Sequence, residues 1–185
     1  MDQRGLIERA RDGEHDAFAE LLDARLARLD AAARLILRDT ELARDAVQEA
    51  MIRAWRDLPG LRDPDRFDAW LHRLLVNTCL DLVRRRKRRV IEVELLSTDQ
   101  AAPYDAVASL ADRQLIDDAL ARLDPGHRAV VALVYLLGMP VPEVARVMGI
   151  PVGTAKSRLH YALAAMRTTM TVAPDTIPAT AGGLA

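Results

Sequence analysis

A single cysteine, Cys79, stands in the 185-residue chain, so no internal disulfide can form and a reducing compartment fits best. Its setting, LLVNTCLDLV, reads as a small buried apolar residue rather than a reactive thiol. Aromatic residues make up only 4 %, and the nine glycines and nine prolines fall at a few discrete places. That leaves long stretches free of helix breakers. No phosphate-binding glycine loop occurs, no cysteine or histidine pair has metal-ligand spacing, and His15, His72, His127 and His160 are scattered. Nothing therefore points to an enzyme, a cofactor or a bound metal. No apolar run approaches the ~20 residues that cross a bilayer. The opening MDQRGLIERARDGEHDAF is charged where a signal peptide would be apolar, so a cytoplasmic protein without membrane insertion is expected. The formal charge of −1 gives the whole chain no basic signature, and local segregation of charge has to carry any such signal.

Half of the residues are apolar, with alanine, leucine and arginine abundant, and their spacing predicts an all-α chain. Phe18, Leu21, Leu22, Leu26 and Leu29 keep helical spacing after an Asp12-Gly13 turn. A second helix follows Asp39-Thr40, with Leu42, Ala46, Met51 and Trp55 as inward residues, and ends before Pro59-Gly60. The segment LPGLRDPDRF must be a loop. A long helix capped by Asp68 or a neighbour then repeats Phe67, Trp70, Leu71, Leu74, Leu75, Thr78 and Leu82 at helical intervals. It runs into six consecutive cations, Arg84 to Arg89. From Ile91 to Ala111 there are four acids and no base, which predicts a flexible acidic linker. Beyond it, Leu115, Ile116, Ala119, Leu120 and Leu123 form one helix, stopped by Asp124-Pro125-Gly126. A strongly apolar helix from His127 to Leu137 follows and ends at Gly138. The expected division is a first helical domain over 1–90, a linker over 91–111, a second domain over 112–168 and a disordered tail over 169–185.

The most informative stretch is MPVPEVARVMGIPVGTAKSRLHYALAAMR, Met139 to Arg167. Gly149-Ile150-Pro151 is a tight turn between two short helices, the signature of a helix-turn-helix. The second helix has an apolar back of Ala155, Leu159, Ala162 and Met166. Its front carries Thr154, Lys156, Ser157, Arg158 and His160, hydroxyls and cations suited to a DNA major groove. An ordinary helix pair would have less reason to exclude acids from that second helix. The cation run is less specific, since basic residues often end helices. Beside Arg73, Asn77 and Asp81 it suits a nucleic-acid backbone. Glu41, Asp45 and Glu49, with Gln48 beside them, make an acidic helix face that is either solvated or a dock for a basic partner. The loop from Leu58 to Phe67 exceeds the usual length of a bundle connector, while Trp55, Phe67 and Trp70 around it read as core.

In this order the motifs DAVQEAMIRAW, FDAWLHRLLVNTCLDLVRRRKR and GIPVGTAKSRLHYAL resemble a bacterial RNA polymerase sigma factor of the extracytoplasmic-function group, over about Asp12 to Arg167. The resemblance implies two helical domains, region two and region four. It implies that the helix bearing Asp45, Gln48, Glu49 and Ile52 docks on the clamp coiled coil of core RNA polymerase, with the flap as a further contact. It assigns Leu61, Arg62, Arg66 and Phe67 to capture of an unpaired base of the promoter's minus-ten element, and Arg73, Asn77, Arg84 and Arg85 to its strand. Recognition of the minus-thirty-five element falls to Thr154, Lys156, Ser157, Arg158, His160 and Tyr161. Promoter DNA and an anti-sigma factor are the further partners implied. Tyr161, Leu163 and Ala165 stand where relatives commonly carry arginine or lysine, and Pro140 stands where they carry a Ser or Thr cap. A self-contained helix-turn-helix regulator is the alternative, although it needs neither the cation run nor the acidic helix.

Overall fold

The protein, seen here as a computed structural model, is described over residues 2–93 and 110–171. Most of the expected linker and the tail beyond Thr171 lie outside the described residues. Every regular element within them is helical. The first half comprises α1 (Gln3–Arg11), α2 (His15–Leu37), α3 (Thr40–Asp57) and α4 (Phe67–Val93). The second comprises α5 (Leu110–Ala121), α6 (Pro125–Val131), α7 (Val141–Met148) and α8 (Val152–Thr171). A π-helical turn, Ala132–Leu136, continues α6.

The helices of the first half pack because each turns one stripe inward. Leu21, Leu22, Leu29, Ala33 and Ile36 of α2 meet Ala43, Ala46, Val47, Ala50 and Ala54 of α3 and Leu71, Leu75 and Cys79 of α4. Alanines dominate the inner face of α3, so its axis can lie close to its neighbours. The sequence pattern did not mark α1, whose Leu6, Ile7 and Ala10 are nonetheless buried. Asp39 caps α3, its carboxylate accepting from the Leu42 amide at 3.0 Å. At the start of α4 the cap is displaced from expectation. Asp63 caps the short 3-10 turn Pro64–Arg66 through the Asp65 amide, whereas Asp68 lies within the first turn of α4 and pairs with Arg25 at 2.5 Å.

The two halves do not stand apart at the ends of a tether: α6, its π-helical continuation and α7 lie against α2 and α4. Leu133, Met139, Val144 and Val147 belong to the same buried core as Ile36, Leu71, Leu75 and Cys79. Two arginines cross the seam in opposite directions. Arg128, only 8 % exposed, donates from Nε to the Ile36 carbonyl at 2.7 Å and from Nη1 to the Leu123 carbonyl. The first of these carbonyls belongs to the last turn of α2, which has no acceptor use inside the helix. Arg38, in the left-handed conformation at φ 56°, reaches back to the Asp117 carbonyl at 2.7 Å.

Candidate polymerase and nucleic-acid surfaces

On α3, residues 45, 48, 49 and 52 recur at intervals of three and four and share one face. Asp45, Gln48 and Ile52 are exposed, and Ile52 keeps 55 % of its surface in water. Ile52 lies one turn from Gln48 and Glu49 on that face, so the row combines acid, amide and apolar surface. Glu49 is partly covered and accepts from Arg53 Nε at 2.7 Å. A groove of about 320 Å³ joins this face to α4, with Asp45, Glu49, Asp81 and Arg85 among its walls.

The connector between α3 and α4 divides its residues by direction. Leu58, Leu61 and Phe67 are buried, while Arg62 and Arg66 are exposed. Phe67 packs beneath Trp70, with the Arg25 guanidinium 5.2 Å from its ring centre. The connector is also tied down by α1, through the Arg4–Asp65 ion pair at 2.9 Å. Of the four loop positions assigned to base capture, only the two arginines therefore present side chains to solvent. Leu61 and Phe67 act from below, as the floor that holds the loop.

Along α4, Arg73, Asn77, Arg84 and Arg88 recur at four, seven and four residues, which sets them on one exposed stripe. Arg84 pairs with Asp81 at 2.7 Å and Arg86 with the capping Asp39 at 3.1 Å. Arg85, Lys87 and Arg88 are exposed. On the inner side, burial pushes the Cys79 thiol up to about 12, so it stays protonated and packs as an apolar group, as its setting indicated. Burial also lowers the His72 imidazole, against the pull of Asp68, which favours its neutral form.

The helix-turn-helix forms as its spacing indicated. Gly149 takes φ 64°, a left-handed C-cap to α7, and α8 follows Pro151. Pro140 occupies the cap of α7 with no side-chain bond to it. Ala155 and Ala162 are fully buried and Leu159 partly so, which fixes the back of α8. Lys156, Ser157 and His160 face water, Thr154 is half-buried, and the Ser157 hydroxyl donates to the Thr154 carbonyl at 3.0 Å. Arg158 differs from its neighbours. It is half-buried, with its guanidinium beside Gly126, 3.5 Å from where a Cβ there would stand. Tyr161 is 60 % exposed, with its ring 4.8 Å from that of His127. Asp124 caps α6, accepting from the Gly126 and His127 amides at 2.8 and 3.0 Å and bonding the His127 ring. Burial would raise the Asp124 carboxyl, but these bonds outweigh it and hold it below the usual range.

Among the described residues no group of three or more His, Cys, Asp or Glu is disposed to hold a metal ion, and no helix is long and apolar enough to cross a membrane. An acidic helix face, a basic helix stripe and a helix-turn-helix, in that order on two helical bundles, define a transcription factor that engages both protein and DNA.

The Sigma-70 region 2 family model matches residues 21–89 and the Sigma-70 region 4 model matches residues 113–166. The chain is 41 % identical over 138 residues to the ECF RNA polymerase sigma factor SigL of Mycobacterium tuberculosis, covering 71 % of this chain and 76 % of that one. It is 29 % identical over 173 residues to SigW of Bacillus subtilis, covering 87 % and 92 %. Among solved structures it is similar to CnrH in complex with the cytosolic domain of CnrY, at a TM-score of 0.69 and 28 % identity over 94 % of this chain and all of that one. It is also similar to the sigma factor RpoE in complex with the anti-sigma factor NepR from Bartonella quintana, at a TM-score of 0.74 and 25 % identity over 85 % and 98 %. The chain belongs to the ECF RNA polymerase sigma factors. It is a transcription initiation factor that directs RNA polymerase to promoters, and the self-contained regulator is not favoured.

Proposed function

We propose that the three exposed faces divide the work of initiation. Asp45, Gln48, Glu49 and Ile52 dock on a basic surface of core polymerase, the clamp coiled coil, with the flap as the second half's contact. Arg62 and Arg66, standing on the buried Leu61 and Phe67, meet the unpaired minus-ten strand, whose backbone runs along Arg73, Asn77, Arg84 and Arg85. The second half reads the minus-thirty-five element through α8, with Thr154, Ser157, His160 and Tyr161 at the groove and Lys156 and Arg158 at its margin. The protein works in the cytoplasm and performs no catalysis of its own. An anti-sigma factor restrains it, a reading supported by the relative solved with such a partner.

The observation that carries this reading is the opposition of charge within one bundle. Asp45, Glu49 and an exposed isoleucine share one face of α3, and exposed arginines, interrupted by Asn77 and Asp81, run along the adjacent α4. A strand of phosphates and a basic protein surface are the complementary partners. Permanganate footprinting of promoter fragments with purified core polymerase tests it. Thymines of the minus-ten element should become reactive only when this chain and polymerase are both present. Duplex binding by the free chain without polymerase-dependent melting would return the self-contained regulator to favour.

A further inference from the structure

The reading face of α8 has an unusual distribution of charge, and one residue at its centre is an aromatic ring. At 100° per residue, Ser157 and Tyr161 lie one turn apart and about 40° apart around the axis, with Thr154 and Ala164 within about 40° of the line midway between them. His160 and Arg158 fall about 80° to either side of that line, and Lys156 about 120° away. Arg158 is turned further aside, its guanidinium beside Gly126 at the start of α6. The centre of the face is therefore neutral and its edges are cationic. Guanine is most often read by a guanidinium or ammonium held bidentate to O6 and N7. No such group stands on this central line.

Tyr161 is large and 60 % exposed, yet its ring has a neighbour. The His127 ring lies 4.8 Å from it at 42°, and His127 is itself held by the Asp124 carboxylate that caps α6. The chain of contacts runs from the α6 cap through His127 to Tyr161, so the tyrosine is braced from the neighbouring helix. A braced aromatic wall facing a major groove has an apolar partner available there, the C5-methyl of thymine.

Resting on the reading of α8 as the minus-thirty-five reader, we propose that Tyr161 is a specificity-determining residue that selects thymine by contact with its methyl group, and that His127 is its positioning residue. Lys156 and Arg158 then supply attraction to phosphates at the edges, and the preferred element is set by ring, hydroxyl and imidazole.

The test uses the full chain with core polymerase on a promoter fragment recovered from a random library by that same holoenzyme. Each thymine of the minus-thirty-five element is replaced in turn by deoxyuridine, which lacks only the methyl. At one position the substitution should weaken open-complex formation about fourfold, the worth of one buried methyl. Tyr161→Phe should keep that sensitivity and Tyr161→Ala should lose it, with polymerase capture unchanged in both. His127→Ala should blunt the discrimination while leaving the salt dependence of binding as it was, since no phosphate contact is removed. Tolerance of uracil at every position, or a methyl effect that survives Tyr161→Ala, overturns the proposal while leaving the sigma-factor assignment intact. If the wild-type chain fails to capture polymerase at all, the underlying reading fails and this proposal with it.

Discussion

Asp45 and Glu49 stand one turn apart on α3 with their backs to a row of buried alanines, so their removal touches the surface and not the core. Replacing both by alanine should weaken capture of core polymerase about tenfold. Folding stability should move by no more than about 0.5 kcal/mol, the usual range for surface sites. Fluorescence anisotropy beside a thermal melt separates the two effects, and unchanged affinity counts against the docking assignment. On α8, Lys156→Ala should lower the slope of binding against salt by about one phosphate's worth. Arg158→Ala should weaken use of the upstream element uniformly across sequences and lower the melting temperature as well, because its guanidinium packs beside α6. Transcription from the intact promoter at the wild-type level would refute the role given to Arg158. Residue types and spacing marked both of these faces as candidates in the sequence. Direction was not legible. Leu61 and Phe67 share a loop with Arg62 and Arg66, and only the packing reveals that the apolar pair turns inward.

Local chemistry accounts for the helices that were readable. Asp39 and Gly149 announce a start and an end by mechanisms that act within a few residues, and each acts so in the structure, whereas Asp124, read as part of a stop, caps the start of α6. α1 escaped notice because its inward residues, Leu6, Ile7 and Ala10, sit among charges in a helix of nine, too short for the period to stand out. Gly149→Ala would force a side chain into the left-handed turn and should cost about 1–2 kcal/mol of stability, read from chemical denaturation. No change would mean that the turn adopts another conformation in solution. The α6 cap makes a pH prediction. Because the Asp124 carboxyl is held below its ordinary value of about 3.9, its contribution is complete above that value and is lost only as pH falls through the lower folded value. Asp124→Ala should lower stability at neutral pH by about 1 kcal/mol, and the difference from wild type should vanish only in stronger acid. A difference that disappears near pH 5 would contradict the lowered value.

At the scale of the molecule the seam between the halves is what the sequence hid. Arginine is rarely buried, and nothing local distinguishes Arg128 from a surface cation. The nearest signal lay in its helix, apolar on all sides from Ala129 to Leu137, a pattern that belongs between two layers. Arg128→Met would leave the Ile36 and Leu123 carbonyls buried without donors and should cost roughly 2–5 kcal/mol, measured by denaturation of the whole chain. A loss under about 0.5 kcal/mol would mean that the seam does not hold in solution. The docked pose also bears on function. Two elements about 25 base pairs apart lie about 85 Å apart along B-DNA, while a compact chain of this length is about 40 Å across. Opening of the seam on the promoter is therefore the expected outcome. Fluorophores on Glu20→Cys and Met170→Cys, with the buried Cys79 left unlabelled, should move apart when polymerase and promoter are added, and an unchanged distance would contradict the spanning pose. The claim beneath all of this is that the chain gives polymerase its choice of start site, and transcription from a random-sequence library tests it most directly. Core polymerase with this chain should yield starts downstream of one two-part sequence at fixed spacing. The same starts from core polymerase alone, or enrichment of a single uninterrupted block, would contradict it.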